Sequence, residues 1–574
     1  MKRLFALFML LFVFSAPAFA QPSASDSTPS PATYLPSDVP AYLELRVDSR
    51  GLDDFNQLTA LGFQLTGMPT QQTDVIDTFL TPALASTFPG IDVKQDVLPW
   101  LGDSLALALI DTTVSASAQP GTSQLFVLPI KDESAAQAFV ARFAAGSAPQ
   151  SVSGVNVYTV RNTELAMGAN VLWLGDATVI DTLLKSPMIE RLSDNPGYQK
   201  IRAALPADAP LSAYISGSYL ATAEANIEAS QPPTMPSFGA IMEAALRLHP
   251  AKSAAEDALL KSPALDGVGV AVQVSSGKID ATAILSVNAQ YPAPKLTTRT
   301  AGSALLSLIP GDSFVVFDSY DLSTTALPVG ALAYLGPTIG STFDSIVANL
   351  DTGELLPTPT PTPSPTPAPP LTADALMAQA QPILAQAQST MGLSLDQLYS
   401  LIDGEYAVAV FPGVGPTLGE ALYLQSSDPQ KIIDTLDHVS KLILTNPAND
   451  TQLITLTHST VDGLDVVLID GTGLTDRPAL GIVNKNVLFL TTESIVSKVI
   501  ASAKNQSPAT PALKWRDKFG DAQEALLYLD PQTVDVYNLR TVRNPPLPIS
   551  ALAGSLDVRD NGLFVLHLTA TIGS

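Results

Sequence analysis

Cysteine does not occur in this 574-residue chain. Its absence excludes disulfides, thiolate metal sites and cysteine nucleophiles, and also a lipoprotein anchor, which needs a cysteine at the cleavage point. Histidine is scarce: His249, His438, His458 and His567 are scattered, and no two stand at the His-Glu-x-x-His spacing that would hold zinc. His438 falls in an amphipathic helical pattern and His567 on an alternating strand, where exposed or edge positions account for them. Positive charge is short as well, with 30 Lys and Arg against 54 Asp and Glu and a formal net charge of -24. That balance repels phosphate backbones and anionic headgroups, and no basic stripe offsets it, so nucleic acid is not an expected partner.

A long clean apolar run is also missing beyond the N-terminus. The stretch 328–350 is apolar, but Pro337, Gly340, Asp344 and Asn349 interrupt it. The opening MKRLFALFMLLFVFSAPAFA (1–20) reads as a signal peptide: Lys2 and Arg3 form its basic region, Leu4 to Phe14 its apolar core, and Ala18-Phe19-Ala20 its cleavage site. The expected mature chain begins at Gln21, outside the cytoplasm in the periplasm, the medium or the cell surface, an uncleaved anchor being the alternative. QPSASDSTPSPAT (21–33) reads as a disordered Ser/Pro-rich tether. Without disulfides the rest must be stabilised by burial, which 46% hydrophobic residues allow.

What is present is a pattern that occurs twice. LPWLGDSLALALI (98–110) and YSLIDGEYAVAVF (399–411) each bring a helical approach to a Gly/acid turn and then an alternating strand. Gly90 precedes Gly102 by the same 12 residues that separate Gly392 from Gly404. NVLWLGDATVIDTLLKS (170–186) and NVLFLTTESIVSKVIAS (486–502) superpose without a gap at an offset of 316. Each reads as a buried strand and a short amphipathic helix, with Val179, Ile180, Leu183, Leu184 and Ile495, Val496, Val499, Ile500 at helical spacing. Asp176 is the expected cap of the first, Thr491 or Thr492 of the second. In 124–143 and 421–443 a strand leads to a helix capped by Asp132 and by Asp428, the latter with Pro429 at the first helical position. VNVYTV (155–160) and LDVVLID (464–470) follow as strands, and both halves close on hairpins, 269–287 and 554–572, the second turning at Asn561-Gly562. Pro-x-Asp precedes a strand in 35–48, 205–217 and 309–321, with 519–530 a degenerate fourth case.

The expected fold is therefore α+β: a tandem duplication of a largely antiparallel sheet covered by helices, the domains spanning 34–293 and 300–574. The run PTPTPTPSPTPAPP (357–370) resembles an interdomain linker. Pro82 and Pro382, however, sit at matching points before the shared Gly, so the repeat resumes right after the run. Proline lacks an N–H and holds its predecessor extended. The run thus reads as a disordered polyproline-II insertion within the second domain, and the boundary falls near 288–304.

The Pro-x-Asp strand openings, the W-L-G-D-S-L-A-L-A-L segment at 100–109 and the strand-then-helix blocks at 170–186 and 486–502 resemble a family of exported bacterial proteins called domain of unknown function thirty-three fifty-two. The resemblance covers most of the mature chain and implies no established activity and no functional residues. The second half departs from it at Gly404-Glu405, where Gly-Asp is expected, and in its Pro-rich insert.

Motifs for chemistry are weak. Ser275-Ser276-Gly277-Lys278 has Ser-x-x-Lys spacing but lies at an expected hairpin turn, without the partner motifs of a penicillin-recognising serine, and no Gly-x-Ser-x-Gly elbow occurs. DGTGLTD (470–476) and DVRDNG (557–562) lack the calcium-ligand ladder and read as turns. Gly413-Val414-Gly415 and Gly419 lie between two strands, with no helix N-terminus to hold a phosphate. Asp103 and Glu405 are the only acids at equivalent positions of the two repeats, each beside a Gly before a core strand. Hydrogen bonding to turn amides is their structural reading, a carboxylate pair the functional one.

No catalytic, cofactor-binding or metal-ligating residue is assigned, and no cofactor is expected. The expected function is that of a non-catalytic exported binding, scaffold or envelope-associated protein, its partner an unidentified protein or envelope component. The alternatives are a carrier of a lipid or other apolar ligand in a groove between sheet and helices, and a hydrolase with an unrecognised site.

Overall fold

The computed structural model describes residues 28–66, 74–85, 87–111, 122–185, 190–219, 265–275, 277–288, 305–320, 404–413, 418–443, 445–446, 451–452, 455–470, 476–504, 510–519, 525–536, 549–559 and 562–572, together with Ser389. They fall into two compact units: 28–219 with 265–288, and 305–320 with 389 and 404–572. The signal sequence, the tether up to residue 27, nearly all of the 288–304 boundary, the Pro-rich run 357–370, Pro382, Gly392, Ser276, Asn561 and His249 lie outside the described residues.

Unit 1 has strands β1 (Ala41–Arg46), β2 (Ser104–Asp111), β3 (Thr122–Pro129), β4 (Gln150–Val152), β5 (Val155–Val160), β6 (Thr163–Met167), β7 (Val171–Gly175), β8 (Leu211–Ser216), β9 (Leu265–Ser275) and β10 (Lys278–Val287). They pair, every neighbour antiparallel, in the order β10-β9-β8-β1-β2-β3-β7-β6-β5-β4. Unit 2 has β11 (Val315–Tyr320), β12 (Glu405–Pro412), β13 (Leu418–Gln425), β14 (Thr455–Val461), β15 (Leu464–Asp470), β16 (Pro478–Val483), β17 (Val487–Thr492), β18 (Ala525–Leu529), β19 (Ile549–Arg559) and β20 (Leu563–Ile572). These are also all antiparallel and take the order β20-β19-β18-β11-β12-β13-β17-β16-β15-β14. Thr445–Asn446 and Thr451–Gln452 pair apart from that sheet. The architecture is α+β, a large antiparallel sheet with helices packed on it.

The main helices are α1 (Ser49–Thr66), α2 (Glu133–Phe143), α3 (Ala177–Lys185), α4 (Pro196–Ala204), α5 (Pro429–Ile443), α6 (Val496–Ala503) and α7 (Ala512–Phe519). Side-chain oxygens satisfy the free amides at their starts: Ala135 N–H donates to Asp132 (3.0 Å), Val179 N–H to Asp176 (2.9 Å), Tyr198 N–H to Asn195 (3.0 Å) and Lys431 N–H to Asp428 (3.1 Å). The helical turn before α6 differs from expectation. Thr492 makes no capping bond there, and Thr491 donates its hydroxyl to Glu420 O (2.6 Å). The cap comes from outside the segment, as the Ser494 amide donates to Asp476 (3.0 Å).

Burial decides which face each helix covers. In unit 2, α6, α7 and the turn Leu306–Leu308 cover the face carrying Val316, Ala407, Ala409, Phe411, Ala421, Tyr423, Leu526 and Tyr528. Ile432 and Ile433 of α5 lie on the opposite face, against Val467, Leu480 and Leu488. In unit 1, α4 packs Tyr198 and Ile201 on the corresponding face. It comes so close that a Cβ at Gly269 would stand 2.1 Å from Ile201.

The Ser/Pro-rich stretch 21–33 is not tether to its end. Residues 31–34 form a 3-10 turn with Pro31 and Ala32 buried, and the Thr28 hydroxyl accepts from the Asp103 amide (3.1 Å). Apolar contacts outweigh composition here. Among the described residues no helix is long and apolar enough to cross a membrane.

Candidate functional site

The site lies on the helix-covered face of unit 2. Alternation along β11 puts Val316 and Asp318 on that face, and alternation along β12 puts Glu405, Ala407 and Ala409 there. Register sets Asp318 opposite Ala407 and Tyr320 opposite Glu405, so the two acids are diagonal neighbours on adjacent strands. Asp318 is 4% exposed and Glu405 1%, so both carboxyls are enclosed. Burial is the main cause that pushes both above the ordinary carboxylate range, Glu405 to about 7 and Asp318 well up. The charge of Glu405 raises Asp318 further; the Leu305 amide and the Arg516 guanidinium draw Glu405 back down.

Arg516, on α7, is 6% exposed. Its Nη1, Asp318 Oδ1 and Glu405 Oε1 are buried and find no hydrogen-bond partner among the described residues. The polar line continues across the sheet. Asp318 stands opposite Leu526, Leu526 opposite Ser555, and Ser555 opposite His567, three strand spacings or about 14 Å in all. Burial lowers His567 to about 4, so its ring is neutral near pH 7, with Nδ1 enclosed and without a partner among the described residues. Of the exposed or edge position expected for His567, the edge is what the strand order gives: it lies half-buried on β20, the terminal strand of unit 2's order, opposite Ser555.

Unit 1 fills the same face differently. Glu44 is buried and accepts from the Tyr42 hydroxyl (2.9 Å). Tyr198 meets Tyr42 and Tyr214 edge to face, at centroid distances of 5.9 and 5.3 Å. Burial raises all three phenols.

Asp103 and Glu405 are not equivalents. Ser104 faces Arg46 as Glu405 faces Tyr320, which leaves Asp103 at the position of Gly404. Matching on glycine slips the register by one residue and so changes the face. The Asp103 carbonyl accepts from Val47 (2.9 Å), whereas Glu405 is core. Ser275 and Lys278 face each other across a hairpin whose turn has Gly277 at φ 77°. His458 lies beside exposed Asp465 (3.5 Å), and the side chain of His438, on α5, is outside the described residues. Asp470 accepts from Arg477 (2.8 Å) and Thr457 (2.7 Å), Asp476 is taken by Ser494, and Asp557 accepts from Arg559 (3.1 Å). Gly419 lies within β13, where a Cβ would stand 2.5 Å from the Phe411 ring.

Sequence reasoning found Glu405 but not Asp318 or Arg516. The signal for Asp318 was a lone acid at the core parity of VVFDSY; Arg516 gave none, since its burial depends on how α7 packs. Chemically the cluster can hold and exchange a proton.

The family described as "Protein of unknown function (DUF3352)" matches residues 4–555. No curated protein matches the sequence. Among solved structures, crystal form I of TP0453 is similar at 10% identity, covering 46% of this chain and 80% of its own, with a TM-score of 0.24. Crystal form III covers 51% and 89% at 11% identity and a TM-score of 0.23. A likeness that loose assigns neither fold nor function.

Proposed function

The chain belongs to the DUF3352 family, and on that premise we propose a non-catalytic, exported binding or scaffold protein made of two tandem copies of one ten-stranded repeat. The observation that carries this reading is the shared strand order of the two units, built on the same antiparallel neighbours from β10 to β4 and from β20 to β14. A repeated frame offers two similar surfaces, a common way to span or hold a partner. The destinations of the ionisable groups support the absence of catalysis. Asp470, Asp476 and Asp557 are committed to neighbouring donors, and Asp318 and Glu405 are enclosed. Duplication would place the domains at 34–293 and 300–574, with the Pro-rich run 357–370 an insertion in the second and the signal removed before Gln21.

Assay of the purified chain on chromogenic esters, peptides, phosphates and glycosides tests the reading. No turnover is expected, and a rate abolished by Asp318→Asn would overturn it. For the duplication, cutting within 357–370 should leave the pieces of the second domain associated, while cutting near 295 should release two folded halves; the reverse would contradict it.

A second reading, carriage of an apolar ligand, has one observation in its favour. On the sheet face opposite Asp318, Val408 is 37% exposed and its neighbours Phe317 and Leu422 are only half-buried, whereas Leu107, at the same place in unit 1, is 4% exposed. Native mass spectrometry would detect a bound lipid lost on Val408→Asp; a chain that carries none ends this reading.

A further inference from the structure

A strand that ends a sheet turns part of its main-chain N–H and C=O groups outward, and folds normally guard such an edge by keeping it short, charged or interrupted by proline. Strand β14 (Thr455–Val461) ends unit 2's order, and among the described residues no strand pairs with its open side. The turn that joins it to β15, Asp462-Gly463, has φ of 49° and 77°, the geometry of a two-residue type I′ hairpin. Val461 and Leu464 therefore exchange both of their main-chain hydrogen bonds, and alternation fixes the rest. Thr455, Thr457, Ser459 and Val461 point their main-chain groups at β15, while Leu456, His458 and Thr460 point theirs at the open edge. Unit 1 has the same turn at Ser153-Gly154, with φ of 51° and 83°, but its β4 is 3 residues long and directs only Ser151 outward.

None of the usual guards protects β14. It runs 7 residues, TLTHSTV, without Pro, Lys, Arg, Asp or Glu, in a chain of net charge -24. Its acidic neighbours stand back from the edge: Asp465 and Asp470 lie on β15 and Asp462 at the turn. Thr455, Thr457, His458 and Thr460 are exposed, and Leu456, Ser459 and Val461 are half-buried, so the strand is open to a neighbour. We propose that β14 is a self-association edge, on which two copies of the chain pair antiparallel about a two-fold axis at His458. A second copy brings the same charges to the same edge, so self-pairing requires a stretch that has none. The outward residues are spaced evenly about His458. Pairing centred there sets His458 opposite His458, and Leu456 of each copy opposite Thr460 of the other, so every outward N–H and C=O of the strand finds a partner. Thr457 then faces Ser459 and Thr455 faces Val461, hydroxyl and β-branched pairs that suit adjacent strands. The proposal goes beyond the binding reading, since the partner is the chain itself.

Sedimentation equilibrium of the full chain across a concentration series tests the edge. The mean mass should climb from one chain toward two and no further, because a two-fold pairing closes on itself. The contact is small, so the climb should be gradual rather than complete at low concentration. His458→Pro removes an N–H that the hairpin does not use, a change an edge strand tolerates, and should raise the dissociation constant about tenfold or more. Ser151→Pro, at the matching outward position of β4, should leave association unchanged. A monomer at every concentration overturns the proposal and leaves the edge to an extended segment of another protein. Association that a folded His458→Pro variant retains, or an equal loss in both variants, overturns it as well.

Discussion

Where unit 1 seats Tyr42 beside Glu44, unit 2 seats Val316 beside Asp318, and the exchange is matched around it. Arg202 and Arg516 both stand nine residues before the strand that follows their helix, as Tyr198 and Ala512 both stand 13 before it. Tyr42 and Tyr198 become Val316 and Ala512, smaller side chains, and Ser104 becomes the larger Glu405. Arg202 donates to Pro206 O (3.5 Å) and Ala207 O (3.4 Å) from a half-exposed position, while Arg516 is enclosed. One frame thus solves the burial of an acid twice, once with a phenol donor and once with a second carboxyl. The partner's chemistry, rather than the fold, decides whether the seam titrates near neutral pH.

The largest break in the comparison should come from the arginines. Arg516→Ala leaves two buried acids without a cation and is expected to cost unit 2 about 3–5 kcal/mol, against under about 1 kcal/mol for Arg202→Ala in unit 1. Urea unfolding of the full chain, read by hydrogen exchange in each unit's central strands, gives both numbers, and equal costs would erase the distinction. Next come the opposite faces. Leu107→Ala should cost about 2–5 kcal/mol and Val408→Ala under about 1 kcal/mol by the same measurement, because only the leucine is closely packed.

The pH response follows. The folded values of Asp318 and Glu405 lie above their unfolded ones, so the stability they contribute is complete below pH about 4 and is lost as pH rises through about 7 and beyond. His567, lowered to about 4, acts in the other direction and loses stability as pH falls from about 6.5. The difference between wild type and Glu405→Gln cancels the histidine. It should shrink on the order of 2 kcal/mol in wild-type stability from pH 5 to 9 in unit 2, with no change in unit 1. Smaller still is a size exchange. Ile110 faces Ser123 in unit 1 and Phe411 faces Gly419 in unit 2. Gly419→Ala should cost about 1–2 kcal/mol, and Phe411→Ile in the same chain should restore most of it, as measured by thermal unfolding.

Local signals in the sequence carried far. Asp132, Asp176 and Asp428 cap the helices they precede, Pro429 opens α5, and both closing hairpins stand where alternation put them, because each depends on neighbours within a few residues. Non-local facts were not legible. The cap at Ser494 comes from Asp476, 18 residues away, and Thr28 is ordered by contact with Asp103, 75 residues on. The site fared worst. Glu405 was noticed for the wrong reason, as the counterpart of Asp103. Its real partners lie 87 residues before it in Asp318 and 111 after it in Arg516, joined only by strand register and helix packing.

Register is what makes the two seams comparable, and a chain free of native cysteine allows it to be read directly. Leu43→Cys with Leu107→Cys, and Phe317→Cys with Val408→Cys, should each close a disulfide on mild oxidation, since directly opposite residues bring their Cβ atoms within bonding reach. If Phe317→Cys instead closes with a cysteine at Ala407 or Ala409, β12 is slipped by one residue. Glu405 would then lie on the other face, away from Asp318, and the account of unit 2 would be contradicted.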